Sequence, residues 1–435
     1  MIIQRNDRER ALIADAERLL PTGTRCLTFE DELNFVVGGA RGSRIRDVSG
    51  NEYIDYLLGS GPHILGHAHP AITGALASIA EKGTSYLIVS EEAIEVAKKI
   101  VEHVPCAERV TFHSSGSEAT FFALRLARAY RRRDKILKFE GGYHGMHDYA
   151  LMSNQWTGGA PPFPTAIPNS HGIPAVLRDE MLIAPFNDLE TTIALIEQHH
   201  DELGGVIVEP LQRSFVPRPG FLQGLRDITK HYDIPLIFDE VVTGFRLALG
   251  GAQERYGVTP DLCALGKCIS GGLPLGVLCG REDLMSLADP RRRIQMLPFV
   301  MLTGTFSSNP VVMSVARAII GVLEQPETYA RIEKNGTRLM RELQQAMDDA
   351  GVPARVSGEP STFQLWFTDA ELINHRSTHG ADAWLNFRFG DLLLRDGVLK
   401  AAEKFFVSAA HDDADIDHTV SAFRRAAEQI ARERK

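Results

Sequence analysis

Short apolar segments alternate with amphipathic stretches along the middle of the chain, between residues 70 and 320. The apolar segments have the length of buried strands, and the stretches between them have helical spacing. Alternation sustained over so much sequence predicts a mostly parallel sheet covered by helices on both faces. The clearest predicted strands are 110–112, 136–139, 206–208, 236–238 and 276–279, and the clearest predicted helices are 117–132, 188–203 and 221–232.

The two ends of the chain have a different pattern. Residues 5–20 have the spacing of a surface helix, and residues 44–58 read as two short strands around a turn. Beyond residue 320 the pattern changes to long helices separated by short strands. These predicted elements are the helices 325–350, 382–396 and 413–434 and the strands 363–368 and 404–408.

The predicted fold class is α/β, with two domains. A large domain with the mostly parallel sheet spans residues 70–320. A smaller α+β domain combines an N-terminal part, 1–69, with a C-terminal part, 321–435. Within the large domain, residues 150–175 are rich in proline and glycine and have no period, which predicts a long loop that is functional or disordered.

Composition narrows the class of protein. The 435 residues are 44% hydrophobic and 24% charged, as in an ordinary globular enzyme, and the net charge is −9. An acidic chain argues against nucleic-acid and anionic-membrane partners. The five cysteines have no zinc or CxxC spacing and predict reduced thiols. The polar N-terminus and the lack of an apolar run of about 20 residues predict a soluble, cytoplasmic protein.

Two charged residues lie just after apolar segments. Lys267 follows 262–265, and Asp239 follows 235–238. A lysine amine can form a Schiff base with an aldehyde cofactor, and an aspartate can hold the protonated nitrogen of a pyridine ring. The pair therefore indicates an enzyme that uses pyridoxal 5′-phosphate (PLP). Taken singly, Lys267 could be a surface lysine and Asp239 a helix N-cap.

Further polar residues at strand ends fit the same cofactor. Residues 114–117 (Ser-Ser-Gly-Ser) open a predicted helix, whose free N–H groups could bind a phosphate, although ordinary capping explains them equally well. Tyr143 and His144 follow two glycines, and the tyrosine could stack on a flat ring or pack in the core. Thr305 offers a hydroxyl in a turn and alone indicates little.

Two other chemistries find no support in the sequence. His63, His67 and His69 lie close together, but they lack the i, i+4 spacing and the neighbouring carboxylates of a metal site. The chain has no G-x-S-x-G segment for a serine hydrolase. We therefore predict no metal ion.

Taken together, these motifs resemble the class III aminotransferases, which are fold-type I PLP enzymes, and most closely the glutamate-1-semialdehyde 2,1-aminomutase branch. The resemblance covers nearly the whole chain. It rests on an ordered series of segments: 50–56, 66–70, 115–119, 138–145, 238–246, 257–262 and 265–267.

The resemblance implies a role for each matching residue. Lys267 would carry the cofactor and transfer protons, and Asp239 would pair with the ring nitrogen. The other cofactor-binding residues would be Ser115, Gly116 and Ser117 at the phosphate, Tyr143 and Val241 on the two faces of the ring, His144, and Gln212 at the phenolic oxygen. Thr305 would reach the phosphate of a neighbouring subunit, which implies a homodimer.

The residues that would bind the substrate depart from the mutase branch. Arg25 matches a carboxylate-binding arginine, Ser170 a gating loop and Glu403 an acidic residue near the active site. Ser60, however, replaces an aromatic residue, and Tyr86 begins a bulkier, more apolar segment. The cofactor site is thus retained while the substrate pocket differs.

These departures lead to an aminotransferase as the first functional expectation. It would move an amino group from an amine or amino acid to a keto acid in a ping-pong reaction. The alternative is an intramolecular aminomutase or a racemase, favoured by the long 150–175 loop because a mutase must retain its intermediate. A third hypothesis is a PLP-fold sensor or structural subunit without catalysis.

Overall fold

The computed structural model describes residues 4–21, 33–155 and 159–434. The helices are α1 Asp7–Leu19, α2 Pro70–Ala80, α3 Glu91–His103, α4 Gly116–Arg131, α5 Leu189–His199, α6 Phe221–His231, α7 Gly251–Tyr256, α8 Glu282–Met285, α9 Pro290–Ile294, α10 Pro310–Leu323, α11 Pro326–Asp349, α12 Ala383–Arg395 and α13 Asp413–Glu433. The strands are β1 Val37–Arg41, β2 Arg44–Asp47, β3 Glu52–Tyr56, β4 Arg109–His113, β5 Lys135–Phe139, β6 Met181–Ala184, β7 Leu203–Val208, β8 Leu236–Glu240, β9 Leu262–Gly266, β10 Gly276–Gly280, β11 Arg355–Glu359, β12 Thr362–Trp366, β13 Val398–Lys400 and β14 Lys404–Phe406.

The chain divides into two compact units. The central unit comprises Gly74–Glu324 and Ile373–Ser377, and the terminal unit comprises the described residues of Met1–Thr73, Gln325–Leu372 and Thr378–Lys435. The predicted boundaries after residues 69 and 320 lie slightly before these divisions. Within the predicted C-terminal part, 321–435, the short segment Ile373–Ser377 groups with the central unit.

The central unit is built on a seven-stranded sheet in the order β4-β10-β9-β8-β7-β5-β6. Strands β9, β8, β7, β5 and β6 are parallel, whereas β10 is antiparallel to both β4 and β9. Every residue of β6, β7, β8, β9 and β10 is buried. Complete burial explains why these strands read as continuous apolar runs rather than as alternating patterns. The predicted α/β fold with a mostly parallel sheet is confirmed.

The terminal unit contains two smaller sheets. One has the order β1-β2-β3-β13, and the other has the order β11-β12-β14. Helices α11 and α13 pack together, and the ion pair of Lys334 with Asp413 at 2.9 Å joins their surfaces. Inside this unit, the buried ring of Phe405 stacks on Phe363 at 5.0 Å between centroids.

The segment 150–174 contains neither a helix nor a strand among its described residues. An isolated bridge pairs Met152 with Pro168, and the Phe163–Pro164 peptide bond is cis. In the described part of the chain we find no helix with the length and apolar character needed to cross a bilayer.

Candidate active site

Asp239 and Lys267 lie at the same edge of the central sheet. Strands β8 and β9 are parallel neighbours, and Asp239 at the end of β8 stands opposite Ala264 of β9. Lys267 follows the last residue of β9 directly. It has a left-handed backbone (φ 40°), which is uncommon for a residue with a side chain and often marks a functional position.

The carboxylate of Asp239 is buried and held by two hydrogen bonds. His144 Nδ1 lies 2.8 Å from Asp239 Oδ2, and the Val241 N–H donates to Oδ1 at 3.1 Å. His144 is itself buried, and its Nε2 has no hydrogen-bond partner among the described residues. A buried carboxylate in this setting can pair with a cationic group, such as a protonated pyridine nitrogen.

Desolvation lowers the pKa of the Lys267 amine, and the negative charges of Asp239 and Glu209 oppose the shift. A lysine with a lowered pKa has more of its uncharged form near neutral pH, and only that form is nucleophilic. A lysine of this kind can react with an aldehyde.

The N-terminus of α4 reaches the same edge of the sheet. Ser115 caps this helix, its hydroxyl accepting from the Glu118 N–H at 3.2 Å. Ser117 Oγ accepts from the Met146 N–H at 3.1 Å. The first N–H groups of a helix have no partner within it and carry the positive end of its dipole. This end of a sixteen-residue helix suits a phosphate group.

Gly276 allows the helix to come this close. A Cβ atom at Gly276 would lie 1.9 Å from the carbonyl oxygen of Ser115. Likewise, a Cβ at Gly116 would lie 2.9 Å from the methyl groups of Val241. Both positions need glycine because backbone or a branched side chain occupies the space that a larger residue would fill.

Replacing Gly276 with alanine is expected to push Ser115 and the start of α4 away from the sheet. We expect the Kd for PLP to rise by about tenfold, together with a loss of about 1–3 kcal/mol in stability from overpacking. Cofactor titration and thermal unfolding measure both effects. Gly321→Ala is the matched control, since a Cβ at that position in α10 meets nothing within 4 Å. Equal PLP affinity in Gly276→Ala and the control would contradict this account.

Two further predicted residues, Tyr143 and Gln212, also belong to the central unit. Tyr143 keeps 38% of its surface exposed, so its ring is available to a ligand. Gln212 is fully buried and donates from Nε2 to the Glu140 carbonyl at 2.6 Å. Its Oε1 has no hydrogen-bond partner among the described residues.

Sequence reasoning missed Glu209, although the signal was present. Glu209 directly follows β7, as Asp239 ends β8, and it is buried. Its Oε2 accepts from the Tyr143 N–H at 3.0 Å. An acidic residue at a third strand end therefore holds the tyrosine in place.

Lys138 is a second residue whose role the sequence did not predict. Its ammonium group is fully buried within β5 and has four oxygen atoms within hydrogen-bond distance. These are the carbonyls of Gly142 (2.9 Å), Ala150 (2.9 Å) and Met152 (2.6 Å) and the side-chain oxygen of Asn154 (2.7 Å). Burial lowers the pKa of Lys138 to about 7. The residue fastens the loop that carries Tyr143 and His144.

Replacing Lys138 with methionine is expected to loosen this loop. The change preserves side-chain length but leaves several oxygens without a hydrogen-bond donor. Each buried unsatisfied group costs about 1–3 kcal/mol of folding stability. We expect a lower Tm and faster proteolytic cleavage between residues 140 and 155. Lys135→Met on the same strand is the control, because its amine pairs at the surface with Glu202. Identical cleavage rates in the two variants would show that Lys138 does not hold the loop.

Arg376 comes from the segment that crosses into the central unit. Its guanidinium donates to both carboxylate oxygens of Glu140, at 2.7 and 3.0 Å, and to the Pro161 carbonyl at 2.7 Å. It also lies 3.8 Å from the ring centroid of Phe163. Arg376 therefore ties the 150–174 loop to the start of the Tyr143 loop. No local sequence signal could have revealed a pairing across 236 positions.

The remaining predicted residues are distributed over both units. In the central unit, Thr305 and Ser170 are exposed, and Tyr86 donates its hydroxyl hydrogen to the Lys82 carbonyl at 2.7 Å. Ser60 and Glu403 belong to the terminal unit. Arg25 lies outside the described residues.

The residues present fit PLP. They supply a lysine of lowered pKa, a buried carboxylate, an open helix N-terminus and a partly exposed aromatic ring. Two buried polar atoms, His144 Nε2 and Gln212 Oε1, have no hydrogen-bond partner among the described residues. The fold and these residues together define a PLP-dependent enzyme of fold-type I.

The comparisons with known proteins give the family. The family model described as "Aminotransferase class-III" matches residues 28–418, so the chain belongs to the class III aminotransferases. The chain is 41% identical, over 94% of its length and 96% of the relative, to the glutamate-1-semialdehyde 2,1-aminomutase of Methanothermobacter thermautotrophicus. Other curated relatives at 38–39% identity have the same activity in their names.

Solved structures agree with this assignment. An omega-transaminase from Sphaerobacter thermophilus superposes with a TM-score of 0.91 at 34% identity, covering 99% of both chains. A transaminase with PLP bound superposes with a TM-score of 0.89 at 28% identity, also covering 99% of both chains. The cofactor of this enzyme is pyridoxal 5′-phosphate, as the sequence predicted.

Proposed function

We propose that this enzyme transfers the amino group of a small amine or amino acid, with Lys267 and Asp239 as its catalytic residues. The observation that carries the proposal is their position at the ends of adjacent parallel strands, beside the N-terminus of α4. When bound, PLP supplies an electron sink that stabilises negative charge on the substrate carbon.

The residues around the cofactor would have separate tasks. Asp239, held by His144, keeps a proton on the ring nitrogen. Lys267 moves a proton between the substrate carbon and the cofactor carbon C4′ as a general acid–base. Tyr143 and Val241 fix the plane of the ring, and the α4 N-terminus holds the phosphate.

An intramolecular aminomutase is the first candidate for the reaction. The curated relatives at 38–41% identity, which match nearly the whole chain, are glutamate-1-semialdehyde aminomutases. They support the alternative in the sequence analysis better than the aminotransferase that we expected first. The long 150–174 loop, fastened by Arg376, fits an enzyme that must retain its intermediate.

An aminotransferase is the second candidate. Two observations favour it: the similarity to an omega-transaminase at 34% identity, and the departures from the mutase pattern at Ser60 and Tyr86. Both candidates use the same cofactor residues. They differ in whether an external keto acid is needed.

Turnover without an acceptor separates the candidates. The PLP-loaded enzyme is given glutamate-1-semialdehyde alone, and separately a panel of amines with and without pyruvate or 2-oxoglutarate. An aminomutase forms 5-amino-4-oxopentanoate over many turnovers without a keto acid. An aminotransferase forms product continuously only when amine and keto acid are both present. Absence of product under every condition would refute amino-group transfer.

The homodimer is also a proposal, and exposed apolar residues support it. Leu87 and Ile88 keep 78% and 76% of their surfaces exposed. The Asn309 side chain donates to the Thr84 carbonyl at 2.7 Å, so this segment adjoins the one that contains Thr305. Monomers rarely expose adjacent apolar side chains of this size. We infer that the surface pairs with a second copy and brings Thr305 towards the partner's phosphate site.

Replacing Ile88 with aspartate is expected to convert the dimer to a monomer. The charge would have to be desolvated in the interface, at a cost of several kcal/mol. Light scattering should give 48.0 kDa for the variant and twice that mass for the natural protein. Val176→Asp is the control, since Val176 is 66% exposed on a separate turn. A natural protein of 48 kDa would rule out the dimer.

A further inference from the structure

We propose that Cys106, Cys263 and Cys279 form a binding site for one thiophilic d¹⁰ metal ion, copper(I), away from the PLP site. All three side chains are buried in the central unit, and their sulfur atoms lie within 4.8 Å of one another. None of them takes part in the chemistry proposed for Lys267 and Asp239.

The register of two strands creates this group. Cys263 of β9 stands directly opposite Cys279 of the antiparallel β10, so both side chains point to the same face of the sheet. Cys106 lies in the turn between α3 and β4, where its N–H donates to Gln253 Oε1 at 3.0 Å. Three separate segments thus bring their thiols to one point. Sequence spacing could not show this group, because Cys106 is far along the chain from the other two cysteines.

The donor atoms select the ion. Thiolate sulfur prefers copper(I) and zinc among biological metals, and a structural zinc needs four ligands. The group contains three sulfurs, and among the described residues no carboxylate or imidazole joins it as a fourth ligand. The buried Glu240 is committed elsewhere, since its carboxylate accepts from Thr243 and Gln253.

The spacing of the sulfurs suits three-coordinate binding. Three sulfurs around an ion at about 2.3 Å lie about 4.0 Å apart in a planar arrangement. The present separations, all within 4.8 Å, reach that value through small side-chain movements. Each sulfur binds as a thiolate and releases its proton to solvent, and the copper stays in the +1 state, so no electron donor or acceptor is needed.

A cavity provides a route to the group. It has a volume of about 330 Å³, and Cys106 forms part of its wall together with Tyr130, Arg226 and Asp261. Cys263 lies in β9, four residues before Lys267, so at the rise of an extended strand the two Cα atoms are about 13 Å apart. Copper can therefore bind without displacing the cofactor.

The test is an anaerobic titration of the PLP-loaded enzyme with copper(I) buffered by a chromophoric chelator. We expect the protein to withdraw one copper(I) per chain without losing PLP. X-ray absorption of the complex should show three sulfur neighbours at about 2.3 Å. The double variant Cys26→Ala/Cys268→Ala removes the two thiols outside the group and should bind copper equally well.

Cys106→Ala removes one ligand at a turn and should weaken binding by more than about 100-fold, beyond the 10–100-fold effect of losing an outer-shell partner. The Tm of this variant is measured to show that it is folded. The X-ray absorption spectrum of the natural protein with copper(I) tests the ligand set without any substitution. The proposal would be overturned if the natural protein failed to withdraw copper(I) or bound only four-coordinate zinc. It would also be overturned if folded Cys106→Ala bound copper(I) as tightly as the natural protein, or if Cys26→Ala/Cys268→Ala lost binding.

Discussion

Replacing Lys267 with alanine is expected to lower kcat by about 10⁴-fold or more. General acid–base catalysis alone contributes about 10²–10⁴, and this variant also loses the amine that, in the proposed mechanism, would bond to the cofactor. Lys267 is the lysine that directly follows β9, beside Asp239, and burial lowers its pKa. No other lysine among the described residues of the site is placed to substitute, because Lys138 is fixed by four oxygens.

Loss of activity must be separated from loss of fold. Pyridoxamine phosphate needs no bond to lysine, so folded Lys267→Ala should still bind it and gain Tm from it. Borohydride treatment of the natural enzyme should fix a pyridoxyl group on the peptide containing Lys267 and on no other. Lys230→Ala, an exposed lysine on α6, is the control and should keep full activity. A labelled peptide without Lys267 would assign the cofactor lysine elsewhere.

The position of this site was largely predictable from sequence, because parallel strands bring their carboxyl ends to one edge. If the apolar segments 236–238 and 262–265 are parallel strands, Asp239 and Lys267 lie at the same edge of the sheet. That the two strands are neighbours is seen only in the structure. The same reasoning extends to Glu209 after β7.

Other features follow from three-dimensional contacts that have no local pattern. The antiparallel direction of β10 could not be predicted, because a buried strand is a continuous apolar segment whichever way it runs in the sheet. In the sequence, Lys138 is a charged residue within the apolar segment of β5. Its role is seen only in the structure, where residues 142–154 supply oxygen atoms to its amine. The pairing of Arg376 with Glu140 joins distant parts of the chain, and only the folded structure shows it.

The Asp239→Asn variant is expected to lower kcat by about 10²–10⁴-fold while keeping the protein folded. Asparagine has nearly the same shape, and its oxygen can still accept from His144 or from the Val241 N–H. What is lost is the negative charge that, in the proposed mechanism, would keep a proton on the ring nitrogen. Without that proton the ring withdraws electrons weakly, so removing the proton from the substrate carbon becomes slower.

Thermal unfolding gives this variant a readout that is independent of activity. In the cofactor-free protein the Asp239 side chain is buried and hydrogen-bonded to His144 and Val241, and asparagine preserves its shape, so the Tm without PLP should change little. Added PLP stabilises only the folded state, and the gain grows with its affinity. The PLP-induced rise in Tm should therefore be smaller in Asp239→Asn than in the natural enzyme or in Asp227→Asn, an exposed control on α6. A charge that acts on the cofactor ring cannot be removed without changing both the activity and the PLP-induced rise in Tm. If Asp239→Asn kept full activity and an unchanged PLP-induced rise in Tm, the carboxylate would have only a structural role.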